Sequence, residues 1–242
     1  MQKRPAVILL LMLCCALLTS SAAFAAEYSI ITTAELKSKM DAGDDLLLIN
    51  ALSPIEHDDL HIKGSINIPS SMVKAGYPLL PESKDRLLVF YCKGPKCSKS
   101  GKAAQKALDL GYTNVMVYNE GLPAWAKSRY PTASNVDYPR FRVDRLTPKE
   151  VFEQKNSAIL LDIRGPEVKK IGRIDGTVNI QLDDLRDEYT RLSKDKKIIT
   201  LDHAGKQVNI TAKFLKAKGY ENLAVMDGGM LAWKRAGLPV VK

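Results

Sequence analysis

Cysteine is scarce in this chain. It has 4 in 242 residues, too few for a small fold stapled by disulfides in place of a core. Aromatic residues are also few, at 7%. No Walker loop and no dinucleotide fingerprint occurs, so phosphate-cradling loops of those kinds are excluded. The histidines His57, His61 and His203 have no cysteine cluster to join, so neither a metal site nor a cofactor is expected. The apolar run at residues 6–18 is 13 residues long, short of the roughly 20 that cross a bilayer. What remains is 45% hydrophobic and 26% charged, an ordinary globular balance that excludes disorder and a multi-span membrane protein. The length suits one large domain or two of about 110 residues.

The first residues read as a targeting segment. Lys3 and Arg4 precede the apolar run, Thr19, Ser20 and Ser21 follow it, and Ala23-Phe24-Ala25 forms an A-x-A site. This is the pattern of a cleaved secretory signal over residues 1–25. The alternative is an uncleaved anchor, because no charge stands between Arg4 and Glu27. Cys14 and Cys15 read as ordinary members of the apolar run, since neither follows a small residue. Cleavage leaves no membrane span and leaves Cys92 and Cys97 as the remaining cysteines. The expected location is the periplasm, an oxidising compartment where thiols either pair or do chemistry. Export also argues against nucleic acid as a partner.

The rest of the chain is one unit written twice. Gly64-Ser65-Ile66-Asn67-Ile68 returns as Gly176-Thr177-Val178-Asn179-Ile180, and Leu46–Asn50 returns in the apolar run ending at Asp162. Gly111-Tyr112 returns as Gly219-Tyr220, Trp125 as Trp233 and Pro131 as Pro239. The period far exceeds that of a solenoid, so each copy is a whole domain. The boundaries read from these anchors are 26–131 and 140–242. Between them lies a polar, proline-bounded join at 132–139.

Each copy alternates strands and helices. Thr33-Ala34-Glu35-Leu36 reads as a helix start with a threonine cap. Leu46–Asn50 and Leu87–Tyr91 are continuous apolar runs, the mark of strands buried on both faces. Residues 65–68 and 114–118 read as further strands. Residues 99–110 and Gly121–Lys127 read as helices, the first stopped by Gly111. In the second copy Ile198–Leu201 and Leu223–Met226 read as strands and 210–218 as a helix. The fold class is therefore α/β, each domain a mainly parallel sheet flanked by helices.

Ligands of such sheets gather beyond the carboxyl ends of the strands. There the first copy reads Cys92-Lys93-Gly94-Pro95-Lys96-Cys97-Ser98, followed by a helix. Unpaired amides at a helix start attract anions and favour thiolate over thiol. Lys93, Lys96, Lys99 and Lys102 add positive charge nearby. Cys92 is thus placed as a low-pKa nucleophile facing an anionic substrate. Two other readings stand beside this one: an inert buried thiol, and a Cys92–Cys97 pair that cycles between dithiol and disulfide. A bond closing so small a ring would stabilise by only about 2 kcal/mol, so its use would be redox or protective rather than structural.

The strand–Cys–loop–helix order, the segment His61-Ile62-Lys63-Gly64-Ser65-Ile66-Asn67-Ile68-Pro69 and the closing Glu120-Gly121-Leu122-Pro123-Ala124-Trp125 resemble the rhodanese family. The second copy adds Asp162-Ile163-Arg164, similar to that family's D-x-R, and Gly228-Gly229-Met230-Leu231-Ala232-Trp233, similar to its closing G-G-x-x-x-W. The resemblance implies two tandem rhodanese domains and transfer of sulfane sulfur. A small anionic donor such as thiosulfate would load Cys92 as a persulfide, and a thiol or cyanide would accept the sulfur. Lys93, Gly94, Pro95, Lys96, Cys97 and Ser98 would form the substrate-binding loop, supplying backbone donors to the anionic sulfur.

The copies depart from the family pattern in opposite ways. The second has Asp202 in place of the cysteine. A carboxylate cannot carry sulfur, so this domain is expected to be non-catalytic, with Asp202 capping the helix start. The first has Asn50 and Leu52 at the D-x-R positions. Its cysteine loop is longer by two residues, counted from Cys92 to Gly111 against Asp202 to Gly219, and the extra residues are expected near Cys97. Ser98 stands where a cysteine phosphatase needs arginine, and C-x4-C is not the thioredoxin spacing, so neither chemistry is expected. Residues 136–242 hold 21 bases against 15 acids, while 26–135 hold 13 against 12. That excess reads as solubility; a docking face for a periplasmic protein partner is the alternative. Besides sulfur transfer, a redox or sulfur-binding protein and a non-catalytic scaffold remain open on sequence alone.

Overall fold

The structure, a computed structural model, describes residues 27–241. The expected signal segment at 1–25 lies outside the described residues. The first unit runs β1 (Ser29–Ile30), α1 (Thr33–Ala42), β2 (Leu46–Asn50), α2 (Pro54–Asp59), β3 (His61–Ile62), β4 (Ile66–Asn67), β5 (Leu87–Tyr91), α3 (Lys99–Asp109), β6 (Val115–Tyr118), α4 (Gly121–Lys127) and β7 (Thr132–Ala133). The second runs β8 (Asp144–Leu146), α5 (Pro148–Gln154), β9 (Ile159–Asp162), β10 (Val178–Asn179), α6 (Leu185–Glu188), β11 (Ile198–Leu201), α7 (Val208–Ala217), β12 (Leu223–Met226) and α8 (Gly229–Arg235). The two sheets have one plan. The orders β1-β6-β5-β2-β4 and β8-β12-β11-β9-β10 correspond strand for strand, and every pairing within them is parallel.

The apolar run of β5 is explained by its two buried faces. Leu88 and Phe90 pack with Ala103, Ala104 and Ala107 of α3. Leu87, Val89 and Tyr91 point the other way, toward Leu36 of α1 and Trp125 of α4. A strand covered by helices on both sides has no place for a polar alternation.

The repeated anchors are hydrogen-bonding devices. Trp125 Nε1 donates to the Pro131 carbonyl and Trp233 Nε1 to the Pro239 carbonyl, each at 2.9 Å. Asn67 Nδ2 donates to the carbonyls of Asn50 and Leu52, and Asn179 Nδ2 does the same to Asp162 and Arg164. Each asparagine thereby pins the chain leaving the carboxyl end of a central strand, where the sheet's ligand side lies.

Some boundaries differ from the sequence reading. The cap of α1 is Thr32, which shares a capping box with Glu35. The helix α7 begins two residues before 210, and the strand read at 65–68 pairs only over Ile66–Asn67. Thr132–Ala133, read as the start of the join, pairs antiparallel with His61–Ile62 as an edge ribbon. Tyr138 is buried in the second unit's core, and Ile55 of α2 enters that same core from the first unit. The two units therefore share an apolar seam.

Candidate active site

Cys92 immediately follows β5, and its side chain is buried. As a thiol it donates to the Cys97 carbonyl, with Sγ 3.3 Å from the oxygen, and it lies 3.2 Å from Ser100 Oγ. Its pKa is lowered from 9.0 to about 6. The leading cause is hydrogen bonding from the Cys97 thiol. Burial opposes ionisation, and the Ser100 hydroxyl and the amides of Ser100 and Gly94 outweigh it together with Cys97. The Cys97 thiol shifts the opposite way, pushed up by its hydrogen bond to Cys92, by burial and by the charge on Cys92. Of the two sulfurs, Cys92 is the one that ionises. Both are free thiols in this structure.

The loop is shaped from below by α4. Gly121 has φ +68, and a Cβ there would lie 2.5 Å from both the Cys92 carbonyl oxygen and the Gly94 nitrogen. The Leu122 amide donates to that same carbonyl at 3.0 Å. The closing motif thus does two jobs: Gly121 lets the helix start approach the cysteine loop, and Trp125 anchors the far end. In the second unit Gly229 repeats the approach, with a Cβ position 2.5 Å from the Asp202 carbonyl oxygen.

The second loop holds its own anion. Asp202 Oδ1 accepts from the amides of Ala204, at 3.0 Å, and Gly205, and Oδ2 accepts from Gln207 at 2.7 Å. The sequence reading has Asp202 capping the helix; instead it binds amides of the loop ahead of α7, up to the boundary residue Gln207, and the helix's own first amides take no side-chain cap from Gln207. A carboxylate fills the cradle that the first unit presents to Cys92.

The lysines correct the sequence reading. Lys93 pairs with Glu56 at 2.8 Å, Lys99 with Asp183 at 2.9 Å, and Lys102 with Glu167. Three of the four lysines are therefore neutralised by acids, and the thiolate is favoured by hydrogen bonds rather than by lysine charge. Burial disfavours the Lys99 ammonium, yet Asp183 and then Glu56 outweigh it and hold its pKa above the usual value. Burial likewise works against the Glu56 carboxylate, and Lys93, Lys99 and Ser53 together keep its pKa below the ordinary range. Pro95 and Lys96 are exposed, as is Ser98. Ser98 lies at the N-terminal boundary of α3.

Two of these acids come from the second unit. Asp183 accepts from Ser71 at 2.7 Å as well as from Lys99, so the second unit grips the start of α3 beside the cysteine loop. Asp183→Asn keeps an acceptor and loses the charge, so it is expected to cost about 1 kcal/mol, the net scale of one ordinary hydrogen bond. Urea unfolding of the full chain measures it, and an unchanged midpoint would show that the grip contributes nothing. Several of the second unit's bases are also engaged: Arg186 with Asp58 and Lys213 with Asp59 across the seam, and Arg145 with Asp227 within the unit.

Sequence reasoning missed Glu56, Ser100, Gly121 and Asp183 as parts of this site. Ser53-Pro54-Ile55-Glu56 carried a signal, since it reads as a capping box, and that box is present. Asp183 carried none, because its partner lies 84 residues away. The two extra residues of the first loop are divided. Cys92 to Ser98 is one longer than Asp202 to Gln207, and α3 is one longer than α7. Among the described residues, no group of three or more His, Cys, Asp or Glu side chains is arranged to hold a metal ion. His61 Nδ1 meets the His57 carbonyl at 2.8 Å, and its ring stacks on His57. An open cleft of about 480 Å³ borders the loop. Cys97, Ser98, Lys102, Gln105, Ile30 and Asn119 are on its wall, and Cys92 is not.

A family model described as Rhodanese-like domain matches residues 32–128 and again 147–236. The chain is similar to the "Probable adenylyltransferase/sulfurtransferase MoeZ" of Mycobacterium tuberculosis, 37% identical over 108 residues. That match spans 44% of this chain and 27% of the relative, so it covers about a quarter of that protein's length. It is also similar to "Thiosulfate sulfurtransferase GlpE" of Ectopseudomonas mendocina, 28% identical over 91 residues, covering 37% of this chain and 84% of that one. Among solved structures, SseA from Escherichia coli, described with the "Rhodanese" fold and catalytic mechanism of 3-mercaptopyruvate sulfotransferases, aligns with 84% of this chain and 98% of its own. The identity is 19% and the TM-score 0.37.

Proposed function

The chain belongs to the family of rhodanese-like domains, which it carries in tandem, and from that membership we propose that it is an exported sulfurtransferase acting through a Cys92 persulfide. The observation that carries this reading is the placement of Cys92 at the end of β5, its sulfur lowered to a pKa of about 6 by the Cys97 thiol, the Ser100 hydroxyl and the amides of Ser100 and Gly94. The thiolate attacks the outer sulfur of thiosulfate or a similar donor. The donor's S–S bond breaks, sulfite leaves with the electron pair, and Cys92 holds a persulfide. A thiol or cyanide then attacks the outer sulfur and expels the Cys92 thiolate. The loop of Lys93, Gly94, Pro95, Lys96, Cys97 and Ser98 surrounds the transferred atom.

In this reading residues 26–131 form the catalytic domain and 140–242 a non-catalytic partner, since the carboxylate of Asp202 occupies the second cradle. The basic, apolar and small-residue pattern over 1–25 supports export to the periplasm. A second reading has its own support: two free thiols in one loop suit a dithiol–disulfide cycle.

The test is mass spectrometry of the protein after thiosulfate, with one added sulfur expected at Cys92. A parallel experiment follows iodoacetamide labelling of Cys92 against pH. Thiolate is the nucleophile, so labelling should rise with pH through a midpoint near 6. A rise only above about pH 8, as for an ordinary thiol, together with no added sulfur, would overturn the reading. Thiol counting that finds a Cys92–Cys97 disulfide as the sole product would favour the redox cycle.

A further inference from the structure

Cys92 is buried beneath the loop, whereas Cys97 is half-buried and stands on the wall of the 480 Å³ cleft. Within the loop Cys92 Sγ lies 3.3 Å from the Cys97 carbonyl oxygen, and the Cys97 thiol bears on the ionisation of Cys92. The sulfur placed to be loaded and the sulfur placed to meet an acceptor are therefore different atoms of neighbouring residues in one loop.

We infer that Cys97 is a second sulfur carrier, taking the sulfane sulfur from Cys92 and presenting it to an acceptor thiol in the cleft. This rests on the persulfide reading above and adds a step to it. The Cys97 sulfur attacks the outer sulfur of the Cys92 persulfide. The S–S bond to Cys92 breaks as the S–S bond to Cys97 forms, and the electron pair stays on Cys92 as thiolate. The proton of Cys97 moves to the transferred sulfur. Charge is conserved and nothing is oxidised, so no further reactant is needed. The direction follows from the site. The thiol of lower pKa is the better leaving group, and Cys92 is the acidic member, held by Ser100 and Gly94 when it departs. The cleft also has the chemistry for an acceptor: Ile30 is an exposed apolar wall, and Gln105 and Asn119 offer amide groups.

The sequence makes the two carriers separable. Lys93 and Lys96 stand between them, so trypsin releases Cys92 in the peptide from Leu87 to Lys93 and Cys97 in the tripeptide Cys97-Ser98-Lys99. The full chain is treated with thiosulfate, trapped with iodoacetamide and digested. Trapped persulfide is expected on both peptides in the natural protein, and on Cys92 alone in Cys97→Ser. Loading of Cys92 is read in the same digest as trapped persulfide on its own peptide, so turnover with dithiothreitol as acceptor is compared per loaded Cys92, and it is expected to fall at least tenfold in Cys97→Ser. Sulfur on Cys92 alone in the natural protein, with Cys97→Ser turning over normally, overturns the relay and leaves the persulfide reading intact. Sulfur on Cys97 in Cys92→Ser overturns it too, because Cys97 would then be loaded directly. Sulfur on neither peptide overturns both.

Discussion

Cys92→Ser is expected to abolish sulfur transfer while leaving the fold in place. The loss should be on the order of a thousandfold or more, the scale seen when a covalent nucleophile is removed. A serine hydroxyl is not ionised near neutral pH and holds no sulfane sulfur, so the loop keeps its donors but has nothing to load. The hydroxyl fits the existing partners, since the Cys97 carbonyl and Ser100 Oγ lie within reach of the side chain. The stability change should therefore stay near 1 kcal/mol, within the range of ordinary substitutions. Thiocyanate formation from thiosulfate and cyanide, assayed beside urea unfolding, separates the two effects. Full activity in a folded Cys92→Ser protein would move the chemistry away from this loop. Loss of activity with loss of fold would show that the thiol is a packing element first.

The sequence made Cys92 legible because its evidence is local: a buried strand, one cysteine at its end and a helix start a few residues on. The repeat was legible for a similar reason. Trp125 with Pro131, and Asn67 with the end of β2, are short-range bonds that each copy must spell out in full. The lysines were misread because their partners are remote. Glu56 reaches Lys93 from α2, while Glu167 and Asp183 reach Lys102 and Lys99 across 65 and 84 residues. A charge run shows where cations are, and only the tertiary fold shows what neutralises them. The domain join was blurred by β7, since a polar prolyl stretch carries no signal that two of its residues will complete an edge ribbon.

The D-x-R departure was half visible. The sequence shows Asn50 and Leu52 where the second copy has Asp162 and Arg164, but the compensation lies on the neighbouring strand. Asn50 pairs with Tyr91 and Asp162 with Leu201 in equivalent registers. In the first unit the Tyr91 hydroxyl accepts from Asn50 Nδ2 and the Ile62 amide, and meets Ser65 Oγ at 2.7 Å. In the second, the guanidinium of Arg164 grips both oxygens of Asp162 and donates to the Gly172 carbonyl. A neutral tyrosine–asparagine pair and an ionic arginine–aspartate pair thus tie the same strand end to the segment that follows.

Arg164→Ala should accordingly be the most destabilising of the substitutions discussed here. Both members of the Asp162–Arg164 pair have side chains only 1% exposed. Removing one partner of a buried pair leaves an uncompensated charge and typically costs about 3–5 kcal/mol. The backbone amide of residue 164 would still donate to Asp162 Oδ1, which softens the loss without neutralising the carboxylate. Transplanting the first unit's solution, with Asp162→Asn, Arg164→Leu and Leu201→Tyr together, removes the charge and supplies a hydroxyl for the new amide. That triple variant should recover most of the stability, because a buried ion pair exchanged for a neutral, well-packed set is often close to neutral in free energy. Asp162→Asn with Arg164→Leu alone should fall between, since the asparagine amide would face Leu201 with no acceptor there. Urea unfolding followed by Trp233 fluorescence in a Trp125→Phe background reads the second unit directly. Equal stability for Arg164→Ala and the natural chain would show the ion pair to be idle, and a triple variant as unstable as Arg164→Ala would show that the two arrangements are not interchangeable.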